Sequence, residues 1–157
     1  MPASPMENVR DAIVTLLSST VNGSGVYTYD LTTTGAVVNG APPDSPLVAP
    51  VVYVWAEQAL TTAGPELGDY ENAQQITLMG FVPGIDDTPA GRVTAAERLG
   101  YDLFLAFRSD RSLTATVNDC QFIGWNNFDG QQYGNGIKYG ACVARVDVRY
   151  FLDGVPD

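Results

Sequence analysis

Few residues of this chain have side chains suited to catalysis. It contains no histidine, which removes the commonest general base and the serine–histidine triad and leaves no zinc-protease ligand set. Asp86 and Asp87 are adjacent carboxylates, but two neighbouring acids fall short of the ligand count of a calcium loop. The run Asp87, Thr88, Pro89 looks like an aspartic-protease loop only superficially. A helix N-cap followed by proline at the first helical position accounts for it better. "GQQYGNG" has glycines but no following lysine, so it is no phosphate-binding loop. Cys120 and Cys142 form no CxxC spacing. No enzyme, metal site or cofactor is expected; catalysis is left only to carboxylates, Tyr or a shared oligomeric site, with a carboxylate-dependent hydrolase as the named alternative.

The remaining chemistry is that of contact. In "ACVARVDVRYF" the even positions are mostly apolar, while the odd ones include Arg145, Asp147 and Arg149. Such alternation marks a half-buried strand, with a row of mixed charge on its other face. That row can pair internally, so it tolerates a neighbouring chain better than an isolated arginine would. If it meets another subunit, reversing the charges of Arg145 and Arg149 weakens assembly. A second candidate surface is "WNNFDGQQYGNG", where Trp125, Phe128 and Tyr133 stand among amides and glycines. That mixture is common on protein- and sugar-binding surfaces. A third is the acidic stretch holding Glu66, Asp69 and Glu71, read as a long exposed connection and a possible contact arm.

The charge distribution narrows the partners. The net charge is -10, and residues 11 to 91 contain nine acids and no Lys or Arg, leaving nine acids and all eight bases elsewhere. This disfavours binding to phosphate backbones and to anionic membranes. No stretch is long and apolar enough for a membrane span. No N-terminal segment is laid out like a signal peptide, so a chain used inside a cell, with reduced thiols, is expected. The 157 residues, 45% of them hydrophobic, fit a single domain, with flexible ends at about 1–4 and 154–157.

Helices and strands must position these groups. Ser4, Pro5 and Glu7 form a capping signature, followed by an apolar stripe of Met6, Val9, Ile13, Leu16 and Leu17. Burying that stripe stabilises by roughly 8–15 kcal/mol before entropy is counted. "VYTYDL" (26–31) alternates like a strand, and a short strand is possible at 36–38. Residues 47–57 read as a covered central strand. Residues 73–84 form another strand, with Ile76, Leu78 and Val82 on one side and Met79 and Phe81 on the other. A second helix is capped by Asp87 or Thr88, with a stripe of Val93, Ala96, Gly100, Leu103, Phe104 and Phe107. Gly100 costs about 1 kcal/mol in mid-helix, which implies close approach to the sheet. Arg98 and Asp102 are spaced to pair on the wet side. The last third predicts a long hairpin, 113–125 with 137–152. If it is symmetric about its loop, Cys120 and Cys142 face each other. The order predicts an α+β fold: an antiparallel or mixed sheet of four to five strands with two helices on one face.

The same order of parts resembles the tail terminator proteins of long-tailed bacteriophages. The matching pieces are "MENVRDAIVTLLSS", "GVYTYDL", "APVVYVWAE", "QQITLMGFVPGIDDTPAGRVTAAERLGYDLFLAF" and "GACVARVDVRYFLDG". The resemblance implies a non-enzymatic structural protein of the virion, assembled in the host cytoplasm. It implies a homo-oligomeric ring, a hexamer, that caps the tail tube protein, stops tube polymerisation and offers a surface to the head–tail connector or neck. DNA would pass through the ring without specific binding. The alternatives are a connector or stopper of the neck, a tube-like subunit, or a carbohydrate-binding module using Trp125, Phe128, Asp129 and Tyr133.

Overall fold

The computed structural model describes residues 4–43, 49–63, 70–114, 116–117, 119–130 and 138–152. The fold is α+β, as the order of elements predicts. In chain order the elements are α1 (Pro5–Thr20), β1 (Val37–Asn39), β2 (Val51–Ala63), β3 (Tyr70–Pro83), α2 (Pro89–Ser109), β4 (Asp119–Asp129) and β5 (Tyr139–Leu152). The strands form one sheet in the order β1-β2-β3-β5-β4. Only β1 runs parallel to its neighbour, and the other pairings are antiparallel.

Both helices lie on one face, α1 over β1 and β2 and α2 over β3, β5 and β4. The main core lies between them and the sheet. Val9, Ile13, Leu16 and Leu17 of α1 meet Ala96, Leu99, Leu103 and Phe107 of α2 and the inward Val52, Val54, Ile76, Leu78, Val82, Val146 and Val148. The predicted caps are in place. Ser4 Oγ accepts from Glu7 N–H at 3.2 Å and Ser4 N–H donates to Glu7 Oε2 at 2.5 Å. Thr88, not Asp87, caps α2, its hydroxyl accepting from Gly91 N–H at 3.0 Å. Pro50 stands immediately before β2, where a missing N–H interrupts no ladder.

Several local expectations are corrected. Residues 26–31 are no strand and contribute only a single bridge, Asn22 with Asp30. Their backbone is held by a side chain instead. Thr28 N–H and Tyr29 N–H donate to Asp102 Oδ2 at 2.9 and 2.8 Å. Asp102 is therefore fully buried and does not pair with Arg98 on the wet side of α2. Of the acidic connection expected at 59–72, residues 59–63 belong to β2 and 70–72 to β3, and residues 64–69 lie outside the described residues.

The last hairpin is also shifted from its expected position. Residues 111–114 form a turn, with Leu113 and Thr114 at positive φ. There the Asp110 carboxylate accepts from Ser112 N–H and Thr114 N–H at 3.1 and 2.7 Å. β4 then continues through Asp129, into what the amides and glycine marked as loop. Cys120 pairs across with Val148 and Cys142 with Asn127. The two thiols are six strand positions apart on β5, about 20 Å at the usual rise, and are not neighbours.

Candidate functional site

The sheet has a second decorated face, opposite the helices. Period-two alternation puts every other residue of each strand there. One end of this face carries an apolar cluster of Val51, Tyr53, Met79, Phe81 and Ala141, with Val38, Trp55, Phe128, Tyr139 and Val143 packed against it. Further along β5 come Arg145, Asp147 and Arg149. The register sets three rows across the sheet: Trp55, Thr77, Arg145 and Gly124; Gln75, Asp147 and Gln121; Ala73, Arg149 and Asp119. Arg145 and Arg149 are exposed, while Asp147 is half-buried. Its Oδ1 is shielded from solvent and has no hydrogen-bond partner. Asp119 is engaged by Arg111 at 2.8 Å.

The strands are not uniform along this face. β4 carries a bulge between Phe122 and Gly124, which leaves Ile123 unpaired. Bulges at sheet edges re-aim side chains and interrupt pairing, and Ile123 is 52% exposed as a result. A groove of about 340 Å³ runs here, lined by Thr77, Ile123, Gly124, Asn126, Val143 and Arg145 among others.

The other predicted contact residues are dispersed. Trp125 points to the helix face, where a Cβ on Gly100 would stand 2.6 Å from its Cε2 and closer still to its Nε1 and Cδ1. Its ring also lies 5.8 Å from that of Phe122. Trp125 is thus a spacer between β4 and α2, and the close approach that Gly100 implied is to this indole. Phe128 lies on the opposite face, in the second apolar cluster. Trp125 and Phe128 therefore form no shared platform for a sugar. Glu71 falls within β3. Tyr133, Glu66 and Asp69 lie outside the described residues.

Asp129, the acid of the carbohydrate reading, is committed elsewhere. It makes a two-pronged ion pair with Arg92, Nε to Oδ1 at 2.7 Å and Nη2 to Oδ2 at 2.9 Å, with both side chains largely buried. The third arm of Arg92, Nη1, donates to the Asp87 carbonyl at 2.8 Å. Planar guanidinium suits this forked geometry. The pair ties the first turn of α2 to the end of β4. Sequence reading missed it. The available signal was a lone arginine in the first turn of a helix, where the macrodipole disfavours a cation unless a carboxylate is near.

Burial pushes both thiols up to about 12, far from the thiolate form at neutral pH. Among the described residues, no three His, Cys, Asp or Glu side chains gather closely enough to hold a metal ion. The Asp86 carboxylate accepts from the N–H and hydroxyl of Thr88, which holds the turn into α2. No helix among the described residues is long and apolar enough to cross a membrane. A scan against protein-family models matches none of them, and a comparison with curated proteins finds no similar sequence.

Proposed function

We propose that this chain is a structural assembly protein of the tail-terminator kind: a subunit of a ring, a hexamer by resemblance, that caps a phage tail tube and presents the neck-facing surface. The observation that carries the reading is the one-sided layering of the sheet. Both helices cover one face, and the other bears an apolar cluster beside the mixed-charge row Arg145, Asp147 and Arg149. Asp147 Oδ1 within that row is sheltered and has no hydrogen-bond partner, which supports a contact at this atom, because buried polar atoms are normally satisfied. A net charge of -10 suits a channel wall that lets DNA slide without holding it.

Light scattering and negative-stain microscopy of the purified protein, alone and with tail tubes, test this reading. Closed rings that sit on tube ends and halt elongation are the expected result. A strictly monomeric protein that neither caps nor binds tubes refutes it. Rings that bind portal-side proteins and ignore tubes would move the protein to the neck as a connector or stopper.

A further inference from the structure

We infer that copies of this chain join edge to edge through their sheets: residues 119–122 of β4 add antiparallel to residues 56–60 of β2 in a second copy. This rests on the ring reading, and it names the two edges that meet.

Both edges are open over the same part of the sheet. β4 is an end strand, and an unpaired edge is a template for another strand. At the other end, β1 pairs with β2 only from Val52 to Val54, where Gly40 N–H adds one bond to the Val54 carbonyl at 2.8 Å. β2 runs on to Ala63, and among the described residues nothing pairs with the outer side of that remaining half. The register puts the two open stretches at one level. Ala56 is in line with Ile76, Val146 and Phe122; Gln58 with Gln75, Asp147 and Gln121; Leu60 with Ala73, Arg149 and Asp119. Each strand is bulged where its open stretch begins, β2 at Glu57 and β4 at Ile123. Bulges bend a strand, so both edges turn at the level where β1 ends.

The strand directions agree with this junction. Three successive antiparallel pairings lead from β2 to β4, so the two strands run opposite ways. Rotation about a ring axis lying along the strands preserves that relation and adds no rise, so equal levels meet in antiparallel pairing. The two edges are different surfaces of one subunit, which is what a head-to-tail ring needs.

Charge and shape beside β4 fit the same occupant. A groove of about 260 Å³ opens between the end of α2 and β4, walled by Phe104, Phe107 and Phe122, with Arg108 beside it. Arg108 is exposed and makes no hydrogen bond or ion pair among the described residues. The incoming half of β2 belongs to the stretch 11 to 91, which has nine acids and no Lys or Arg. Its Glu57 stands at the level of Phe122 and Gln121, beside the groove. Strand addition combined with a side-chain pocket is a recurrent way of holding an extended segment.

The test is a cross-link. In one chain Gln58 and Gln121 are three strand spacings apart, about 14 Å, so a shorter bis-maleimide joins these positions only between copies. The double variant Gln58→Cys with Gln121→Cys should give a ladder of covalent oligomers that ends at the ring, and each single variant should give none. The native Cys120 and Cys142 are buried and leave the new thiols to react. Arg108→Glu should weaken association roughly three- to tenfold in sedimentation velocity, with the melting temperature of the dissociated chain unchanged. Rings that yield no ladder, or that assemble normally with Arg108→Glu, overturn the edge pairing and leave the ring reading standing. Covalent dimers from Gln121→Cys alone place two β4 edges together about a twofold axis and overturn the assignment to β2. A wild-type protein that stays monomeric overturns the ring reading and the pairing together.

Discussion

Gly140→Ala should be among the most damaging small substitutions in the chain. A Cβ at Gly140 would lie 3.0 Å from Arg92 C and Ala96 N and closer still to the Arg92 carbonyl oxygen. Comfortable contact needs about 3.5–4.0 Å. The obstructing atoms are backbone, so no rotamer change relieves them and α2 must move away from β5. Overpacking of this kind costs about 1–3 kcal/mol. A further cost follows from the register. Gly140 is the cross-strand partner of Asp129, the acid that grips Arg92 at 2.7 Å. Moving the helix stretches that buried pair, whose outright loss costs about 3–5 kcal/mol. A total of about 3–5 kcal/mol is expected, a large share of the roughly 5–15 kcal/mol that holds an ordinary domain together. Urea unfolding followed by tryptophan fluorescence and circular dichroism measures it. A double-mutant cycle with Asp129→Asn separates the two parts, and coupling of about 1 kcal/mol or more is expected for groups that share a contact. A loss below about 1 kcal/mol, or additivity of the two substitutions within about 0.5 kcal/mol, refutes the reasoning.

Gly100→Ala should behave differently, because the obstacle is the Trp125 ring. It should destabilise by about 1–2 kcal/mol, and Trp125→Leu in the same chain should recover part of that loss in urea unfolding. Asp102→Ala should cost about 2–4 kcal/mol by stranding the amides of Thr28 and Tyr29, and hydrogen exchange should show those two amides losing protection. Burial raises the Asp102 carboxyl against the opposing pull of the two N–H groups, so between the unfolded and folded values the native state holds more protons. The stability contribution of Asp102 should therefore fall as pH rises from about 4 through that window and level off above it; a stability difference between wild type and D102A that rises with pH there would contradict the sign. Cys120 and Cys142, with thiols pushed up to about 12, should resist an aromatic disulfide reagent at pH 8 in the native protein, react fully in denaturant, and form no bond with each other on mild oxidation.

Much of the fold is legible in the sequence wherever one element carries its own signal. α1 announces itself through Ser4, Pro5 and Glu7 and its apolar stripe, and α2 through Thr88 and Pro89. The alternation of β3 and β5 fixes which residues face the helices. What failed depended on distant partners. Residues 26–31 have the period of a strand, but their amides are claimed by an acid more than seventy positions away. The assumption of a symmetric hairpin misplaced Cys120, because the connection between β4 and β5 is centred later than the glycines imply and β4 carries a bulge. Trp125 and Phe128, three residues apart in one polar stretch, were read as one surface. An odd separation along a strand sends them to opposite faces. Of the candidate contact surface, only Arg145, Asp147 and Arg149 were placed together by sequence alone. Thr77 and Gly124, which complete the row beside Arg145, come from strands whose register no local pattern reveals.

The central ladder has a consequence for how the chain acquires its shape. β3 and β5 pair without interruption from Pro83 with Tyr139 to Tyr70 with Leu152, whereas β2 and β4, which flank them, each contain a bulge. The longest regular seam therefore joins segments separated in the chain by all of α2 and β4. Loop closure on that scale comes late and slowly. During synthesis β3 emerges with its inner edge unpaired, and it stays so until the last strand is made. Until then α2, capped and amphipathic, is the element placed to lie over the inner side of β3 and shelter its apolar residues. The helix that anchors the finished sheet thus doubles as the guardian of the unfinished one.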